Sequence, residues 1–470
     1  MKLELDPDRL FPVDPATREV ARALYAEVAA LPILSPHGHV DPALLLENTP
    51  FRNPAELFIR YDHYVTRLMH AAGVALTELG IPDRTGGIAT ATPREVWRTF
   101  SAHWHLYAGT ASGYWLQHAF GEQFGITEQP DAGNADALFD RIEATLATDA
   151  FRPRALFDQF KIEVLATTDD PMDDLAKHTA LAADPTFTGR VLPTFRPDAY
   201  LDPATAGFAA NVQKLADWNG TAASSYAGYI DALAGRRRYF VDHGGVSADH
   251  GVFQPLAVDL SSSDAAGLFD GALAGTLSGA EQRTFAGHML LEMARMSVDD
   301  GLVMTIHPGV FRNHSTDTFT RFGADTGHDI PATTTYVDSI RPLLQKYGNN
   351  ADFHLVLFAV DETVYSREVA PLAGFYPSVY IGAPWWFLDA PDAVLRFRSA
   401  VTETAGFYRS SGFIDDTRAF LSIPARHDMA RRLDSAFLAR LVREGRIAQA
   451  SAERIIVDLV DALPRKVFKL

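Results

Sequence analysis

Two histidines one residue apart, His37-Gly38-His39, carry the strongest local chemical signal in the chain. On a β-strand, residues i and i+2 point to the same side, so both imidazoles can grip one ion while Gly38 leaves the turn unhindered. The plainer alternative is a pair of hydrogen-bonded packing histidines. His103-Trp104-His105 repeats the spacing, but in a stretch that reads as helical, where i and i+2 diverge by roughly 200° and do not share a ligand. A third ligand must come from another strand end, and the acidic candidates are Asp169, Asp170, Asp361, Asp415 and Asp416. Asp416 is the choice, because a final strand closing a barrel beside the first would complete a His-His-Asp face with open positions for substrate. Asp415 alternates to the other side of that strand, and Asp169-Asp170 reads as the cap of a helix starting near Pro171.

Cations and proton carriers follow the same logic. Arg418, two residues beyond Asp416, and Arg196, in Pro193-Thr-Phe-Arg-Pro-Asp198, carry planar guanidinium groups that bind carboxylates in a bidentate way or close surface ion pairs. His307 and Arg312, in Ile306-His-Pro-Gly-Val-Phe-Arg-Asn313, follow an apolar run. A histidine there could polarise a carbonyl or move a proton, or sit buried on a backbone carbonyl. Asp62-His63-Tyr64 offers a proton-transfer pair if its segment folds over the site. Trp385-Trp386 offers a flat wall for a sugar face, although adjacent tryptophans also fill cores. No Gly-rich phosphate loop with a following Lys-Ser/Thr and no apposite Gly-x-Ser-x-Gly turn is present, so nucleotide chemistry and a serine hydrolase lack a local anchor.

Eight short apolar runs that turn polar at their ends could position these residues. They are Ile33 to His39, Glu163 to Thr168, Arg190 to Phe195, Arg238 to His243, Leu302 to His307, Phe353 to Val360, Pro377 to Gly382 and Phe413 to Asp416. Separated by helical stretches, they form the pattern of an α/β chain of repeated βα units, which predicts a (β/α)8 TIM-type barrel with chemistry at the C-terminal strand ends. The first connection, residues 42–160, is too long for a loop and carries helix-start punctuation at Thr92-Pro-Arg-Glu, so it reads as a helical insertion over the barrel mouth. Residues 428–470 read as a closing helical segment, and nothing cuts the 470 residues into modules, so one barrel domain is expected.

Composition narrows the partners. A net charge of −17 repels nucleic acid and anionic membranes, so an anionic ligand must be held by local arginines. With no cysteine in the chain, any metal rests on His, Asp or Glu, which points to Zn, Mn or a similar divalent ion. The first thirty residues carry no apolar signal core and no stretch approaches eighteen uninterrupted apolar residues, so a cytoplasmic protein is expected. A homo-oligomer suits a barrel enzyme of this size, although nothing sets its symmetry.

Taken in order, these segments closely resemble the uronate isomerases, a branch of the amidohydrolase superfamily. The likeness runs nearly end to end through His37-Gly-His39, Asp62-His-Tyr64 with Arg67-Leu-Met69, Thr167-Thr-Asp-Asp-Pro171, Pro193-Thr-Phe-Arg-Pro-Asp198 and Asp249-His-Gly251. It continues through Met304-Thr-Ile-His307 with Arg312-Asn313, Trp385-Trp-Phe387, and Asp416-Thr-Arg418 leading to Phe420-Leu-Ser422. The resemblance implies a distorted (β/α)8 barrel that interconverts D-glucuronate with D-fructuronate, and D-galacturonate with D-tagaturonate, in hexuronate catabolism. It implies His37, His39 and Asp416 as ligands of one divalent metal, and Tyr64 with His63 as proton-transfer machinery. Arg196, Asp249, His307, Arg312, Trp385 and Arg418 become substrate-site residues by the same likeness. Gly38 stands where relatives often carry Cys, Pro308 follows His307 where an aromatic or aliphatic residue is usual, and no strand-end lysine suits a two-metal carbamate. At this level a metal-dependent hydrolase of amides or lactones, and a non-catalytic sugar-acid binder, remain alternatives.

Overall fold

The computed structural model describes residues 2–3, 5–86, 90–220 and 225–470; residues 87–89, part of the expected insertion, lie outside the described residues. Among the described residues the strands are β1 Ile33–Ser35, β2 Ile162–Ala166, β3 Arg190–Leu192, β4 Thr194–Phe195 and β5 Ser247–His250. They continue with β6 Val303–Ile306, β7 Val310–Phe311, β8 Ile330–Pro331, β9 Leu355–Leu357 and β10 Val379–Ile381. Two parallel sheets form, β1-β2-β3 and β10-β9-β6-β5-β4, while β7 and β8 make a small antiparallel hairpin.

Backbone contacts join the two sheets into a ring. Pro193, which has no N–H to donate, splits one stave into β3 and β4, and Asp169 bridges the break by pairing with Phe195. On the far side Ile381 bridges Ser410, and the His39 N–H donates to Thr417 O at 3.1 Å. The staves are therefore β1, β2, β3 with β4, β5, β6, β9, β10 and the extended segment 410–417, which makes a distorted (β/α)8 barrel. Side chains alternate along each stave as strand geometry requires. Val303, Val356, Phe358 and Tyr380 share an apolar cluster with Val467 and Phe468 of the C-terminal helix Leu463–Phe468. Met304, Ile306, Leu355, Leu357, Val379 and Ile381 pack in a second cluster with helix residues such as Phe285, Met289 and Phe397.

Two expected staves are corrected. Arg238 to His243 is not a strand but the end of the helix Tyr226–Asp242, whose buried Tyr229, Leu233, Arg236, Arg237 and Phe240 recur at helical spacing. The fourth stave is β5, a few residues on, and it carries Asp249. Phe413 to Asp416 forms no ladder; its segment is held by the single bridge at Ser410 and the bond to Thr417, and Asp416 takes a left-handed φ of 41°. Asp169-Asp170 does not cap a helix at Pro171 either. The next helix starts at Ala176, Asp169 accepts from Thr167 Oγ1, and Asp170 accepts from the Met172 N–H and Tyr200 Oη.

Between β1 and β2 the chain runs through helices that include His63–Ala71, Pro93–Ala102, Ala111–His118 and Ala135–Leu146. Thr92 and Glu95 form the reciprocal capping box that the sequence announces. This region has its own aromatic core: Trp97 is fully buried against Phe100, Phe120 and Phe139, and its Nε1–H donates to Ala135 O at 2.9 Å. Trp97→Ala should cost about 3–5 kcal/mol, readable as a lowered urea midpoint, because it empties a large cavity and orphans a buried carbonyl. His103 and His105 sit at the end of Pro93–Ala102 and in the following turn, with rings 6.2 Å apart and His103 Nδ1 on Thr99 O.

Candidate active site

A cavity of about 460 Å3 opens over the C-terminal ends of the staves. His37, His39, His63, Tyr64, Arg196, His307, Arg312, Trp385, Asp416 and Arg418 all line it. Asp249, the remaining candidate, lies fully buried beneath it on β5.

The histidine pair does not lie on the strand. Pro36 follows Ser35 and cannot extend the β1 ladder, so His37 and His39 stand in the loop beyond it. Their rings are 5.3 Å apart and nearly perpendicular rather than side by side. His39 Nε2 is 2.9 Å and His37 Nε2 3.5 Å from Asp416 Oδ1. His37, His307 and Asp416 offer ligand atoms that lie within 4.8 Å of one another. The expected His37, His39 and Asp416 stand together at one carboxylate oxygen, and His307, which stacks on His37 at 4.6 Å, stands beside them as a further donor. Nor is Gly38 required by space, since a Cβ there would meet Ala166 O at an ordinary 3.4 Å. The Asp415 carboxylate is buried and pairs with His427 Nε2 at 3.0 Å.

His307 is aimed by residues behind it. Its Nδ1 is 2.5 Å from Asp249 Oδ1, an acceptor, so Nδ1 carries the proton. Thr305 Oγ1 donates to the same oxygen at 2.6 Å, and Arg196 Nη1 lies 3.3 Å from Oδ2. This is how a carboxylate fixes the tautomer of a metal-binding histidine. His307 Nε2 and His37 Nδ1 are buried without a hydrogen-bond partner in the protein. His37 Nε2, 3.5 Å from Asp416 Oδ1, and the unpartnered His307 Nε2 fit with Asp416 a divalent ion that takes N and O ligands. Burial works against charge on both carboxylates, yet His307, His37 and Arg196 hold Asp249, and His37 and His39 hold Asp416, well below the usual range.

Four arginines line the cavity of this acidic protein, Arg196, Arg312, Arg418 and Arg426. Arg196 Nε donates to Asp198 Oδ2 at 2.9 Å, Arg312 Nη1 to Asp329 Oδ2 at 3.0 Å, and Arg418 Nη1 lies 3.5 Å from Asp325. Arg312 also lies over the ring of Trp386 at 4.8 Å. Pro308 and Gly309, with a φ of 89°, turn the chain from β6 into the β7-β8 hairpin, and Arg312 follows β7. A Cβ at Gly309 would come 2.5 Å from Thr334. Trp385 lies 4.8 Å from the His307 ring, so the tryptophans serve as both wall and packing.

Asp62 caps the helix His63–Ala71 by accepting the Tyr64 N–H at 2.9 Å, which presents His63 and Tyr64 at a helix start facing the cavity. The expected Tyr64–His63 dyad is not hydrogen-bonded. The Tyr64 hydroxyl donates to Asp389, 3.0 and 3.2 Å from its two oxygens, and accepts from the Phe387 N–H at 3.2 Å. Arg426 Nη1 donates to Asp389 Oδ2 at 2.8 Å. His63 stacks on Trp386 at 5.0 Å, and burial with Arg418 pushes its pKa down to about 4. Burial and then Asp389 hold the Tyr64 phenol well above its usual value. Asp389 and Arg426 both line the cavity, and the sequence reading missed both. An acid three residues after Trp386 was the one visible signal.

The family of glucuronate isomerases matches residues 15–468 of the chain. The chain is 54% identical to the uronate isomerase of Corynebacterium efficiens over 99% of its own length and 98% of the relative's, and 50% identical to that of Xanthomonas campestris pv. campestris over 100% and 99%. Its fold matches the glucuronate isomerase of Caulobacter crescentus with a TM-score of 0.97 at 49% identity, covering 100% of this chain and 98% of that one. The uronate isomerase of Thermotoga maritima follows at 0.91 and 26%, covering 99% of each. No helix among the described residues is long and apolar enough to cross a membrane. Full-length identity near one half, together with a shared barrel, establishes that the chain belongs to the uronate isomerase family.

Proposed function

We propose that this protein interconverts D-glucuronate with D-fructuronate and D-galacturonate with D-tagaturonate, by moving a proton between C2 and C1 through an enediol. The observation that carries this reading is one cavity holding the His/Asp donor cluster, four arginines and the Tyr64 phenol. An aldose-to-ketose conversion needs all three parts: polar anchoring of the substrate, cations for carboxylate and oxyanion, and a proton carrier. One divalent ion, zinc with manganese as the alternative, would be held by His37, Asp416 and the neighbouring histidines His39 and His307. Bound there, it would supply Lewis-acid polarisation of substrate oxygens. Arg196 and His307 orient the uronate, Arg312 and Trp385 bound its pocket, and Arg418 stabilises the oxyanion of the enediol. Tyr64, with His63 beside it, exchanges the migrating proton, and buried Asp249 holds His307 and Arg196 in place.

We further read the chain as one barrel domain of a cytoplasmic enzyme, acting on a small sugar acid and assembling with copies of itself. The isomerase reading is tested by running the reaction in D2O and following C1 and C2 by NMR. Deuterium entering either carbon of recovered uronate or ketose supports it, and conversion of neither uronate refutes it.

Gly251 gives a finer test of the arginine. A Cβ there would stand 2.4 Å from Arg196 Nη2 and 2.8 Å from Asp198 Oδ2, so the guanidinium must move. Gly251→Ala should raise KM for D-glucuronate by about 10–100-fold, the worth of a charge-assisted hydrogen bond or two, with a smaller change in kcat.

A further inference from the structure

We propose that Asp389 works through Tyr64 as the acceptor of its phenolic proton, so that Tyr64 acts as a base without existing as a free phenolate. The inference rests on the isomerase reading and deepens it. The Tyr64 hydroxyl has one proton, and the structure commits it: both Asp389 oxygens lie within 3.2 Å of Oη, while the Phe387 N–H occupies a lone pair of the same oxygen. What remains toward substrate is a lone pair, which can only receive. A neutral phenol that receives a proton must release its own at the same time, because the doubly protonated oxygen is far too acidic to persist. Asp389 is the group placed to take it.

The proton leaving the C1–C2 unit of the substrate breaks its bond there and leaves its electron pair on the enediolate. A new O–H bond forms at Tyr64 Oη as the old one breaks, and the released proton bonds to Asp389, whose negative charge is thereby transferred to the enediolate. Within the enediol the C2 hydroxyl passes its proton to O1, and the reverse of the relay, with the carbon proton delivered to C1, leaves C2 as the carbonyl and completes the isomerisation.

The surroundings suit such an acceptor. Arg426 is buried, donates to Asp389 Oδ2, and is itself fixed by Ser422 Oγ at 3.2 Å, by Asp415 O at 3.3 Å and by the face of Trp115 at 3.6 Å. The Asp389 carboxylate therefore cannot swing away. Burial, only partly offset by Arg426 and Tyr64, raises the Asp389 carboxyl above its ordinary value, which makes it a readier proton acceptor than a surface aspartate.

The test uses metal-loaded wild type, Asp389→Asn, Tyr64→Phe, the double variant and Asp389→Glu, assayed on D-glucuronate with bound metal measured in each. Asp389→Asn is expected to lose about 10²–10³-fold in kcat with KM within about threefold and metal retained. The double variant should be no slower than Tyr64→Phe within about threefold, because the two residues form one path. Asp389→Glu should recover at least about tenfold over Asp389→Asn, since it restores a carboxylate acceptor. Wild-type kcat in Asp389→Asn, a loss confined to KM, or losses that multiply in the double variant would each overturn the relay. Should Asp389→Asn fail to fold, single-turnover ketose formation by wild type decides. Slowing of about twofold or more in D2O supports transfer of the phenolic proton, and an unchanged rate rules it out. Absence of wild-type turnover would instead count against the isomerase reading itself.

Discussion

The His37→Ala/His39→Ala protein is expected to lose its bound divalent ion and at least about 10⁴-fold in kcat/KM, a change of about 5 kcal/mol in transition-state stabilisation. Both imidazoles converge on the Asp416 carboxylate, and His37 offers a donor within 4.8 Å of those of His307 and Asp416. Removing them leaves His307 and Asp416, too few ligands for an ion that prefers four or more. The fold should persist, because both residues stand in the loop beyond β1 rather than in the strand ladder or the apolar clusters. Metal content by elemental analysis and kcat/KM on D-glucuronate check the prediction together. Stoichiometric metal with full activity in the double variant would remove these residues from the site.

Tyr64→Phe should lower kcat by about 10²–10⁴-fold while KM and bound metal change little. The substitution deletes one oxygen and keeps the ring, which packs edge-on against Trp115 at 5.5 Å. It leaves Asp389 and the Phe387 N–H each short of a partner, so a stability loss of about 1–3 kcal/mol accompanies the kinetic effect. A thermal melt separates that modest cost from unfolding. Near-wild-type turnover from a folded Tyr64→Phe protein would take the proton transfer away from this residue. His63 offers no substitute at neutral pH as an acid, because burial and Arg418 keep its imidazole neutral down to about pH 4.

What could be read along the chain was whatever depends on local pattern. Apolar runs ending in polar residues located β1, β2, β6, β9 and β10, and Thr92 with Glu95 announced a helix start that the structure caps as expected. Short runs fail where two periodicities fit. Tyr239-Phe-Val241 resembles a strand by composition, but Tyr229, Leu233 and Phe240 bury one face of a helix that absorbs it. Proline overrides the apolar pattern in two places, at Pro36, which releases His37 from the strand, and at Pro193, which splits a stave. Ten of the eleven site residues named from the sequence line the cavity and Asp249 lies beneath it, because barrel topology delivers strand ends to one face. Partners across the fold were not legible. Tyr64 meets Asp389 across 325 positions, and Arg426 reaches Asp389 from the long C-terminal helix Ile423–Arg443, so neither contact leaves a local trace. The stacking of His307 on His37 is likewise a tertiary contact with no local trace.

The most direct test of the whole account is ketose formation from D-glucuronate and D-galacturonate by the purified protein, stripped of metal and then restored with zinc or manganese. The account predicts no turnover when stripped and ketose product when either uronate is supplied to the restored enzyme. A folded, metal-loaded protein that converts neither uronate would contradict it.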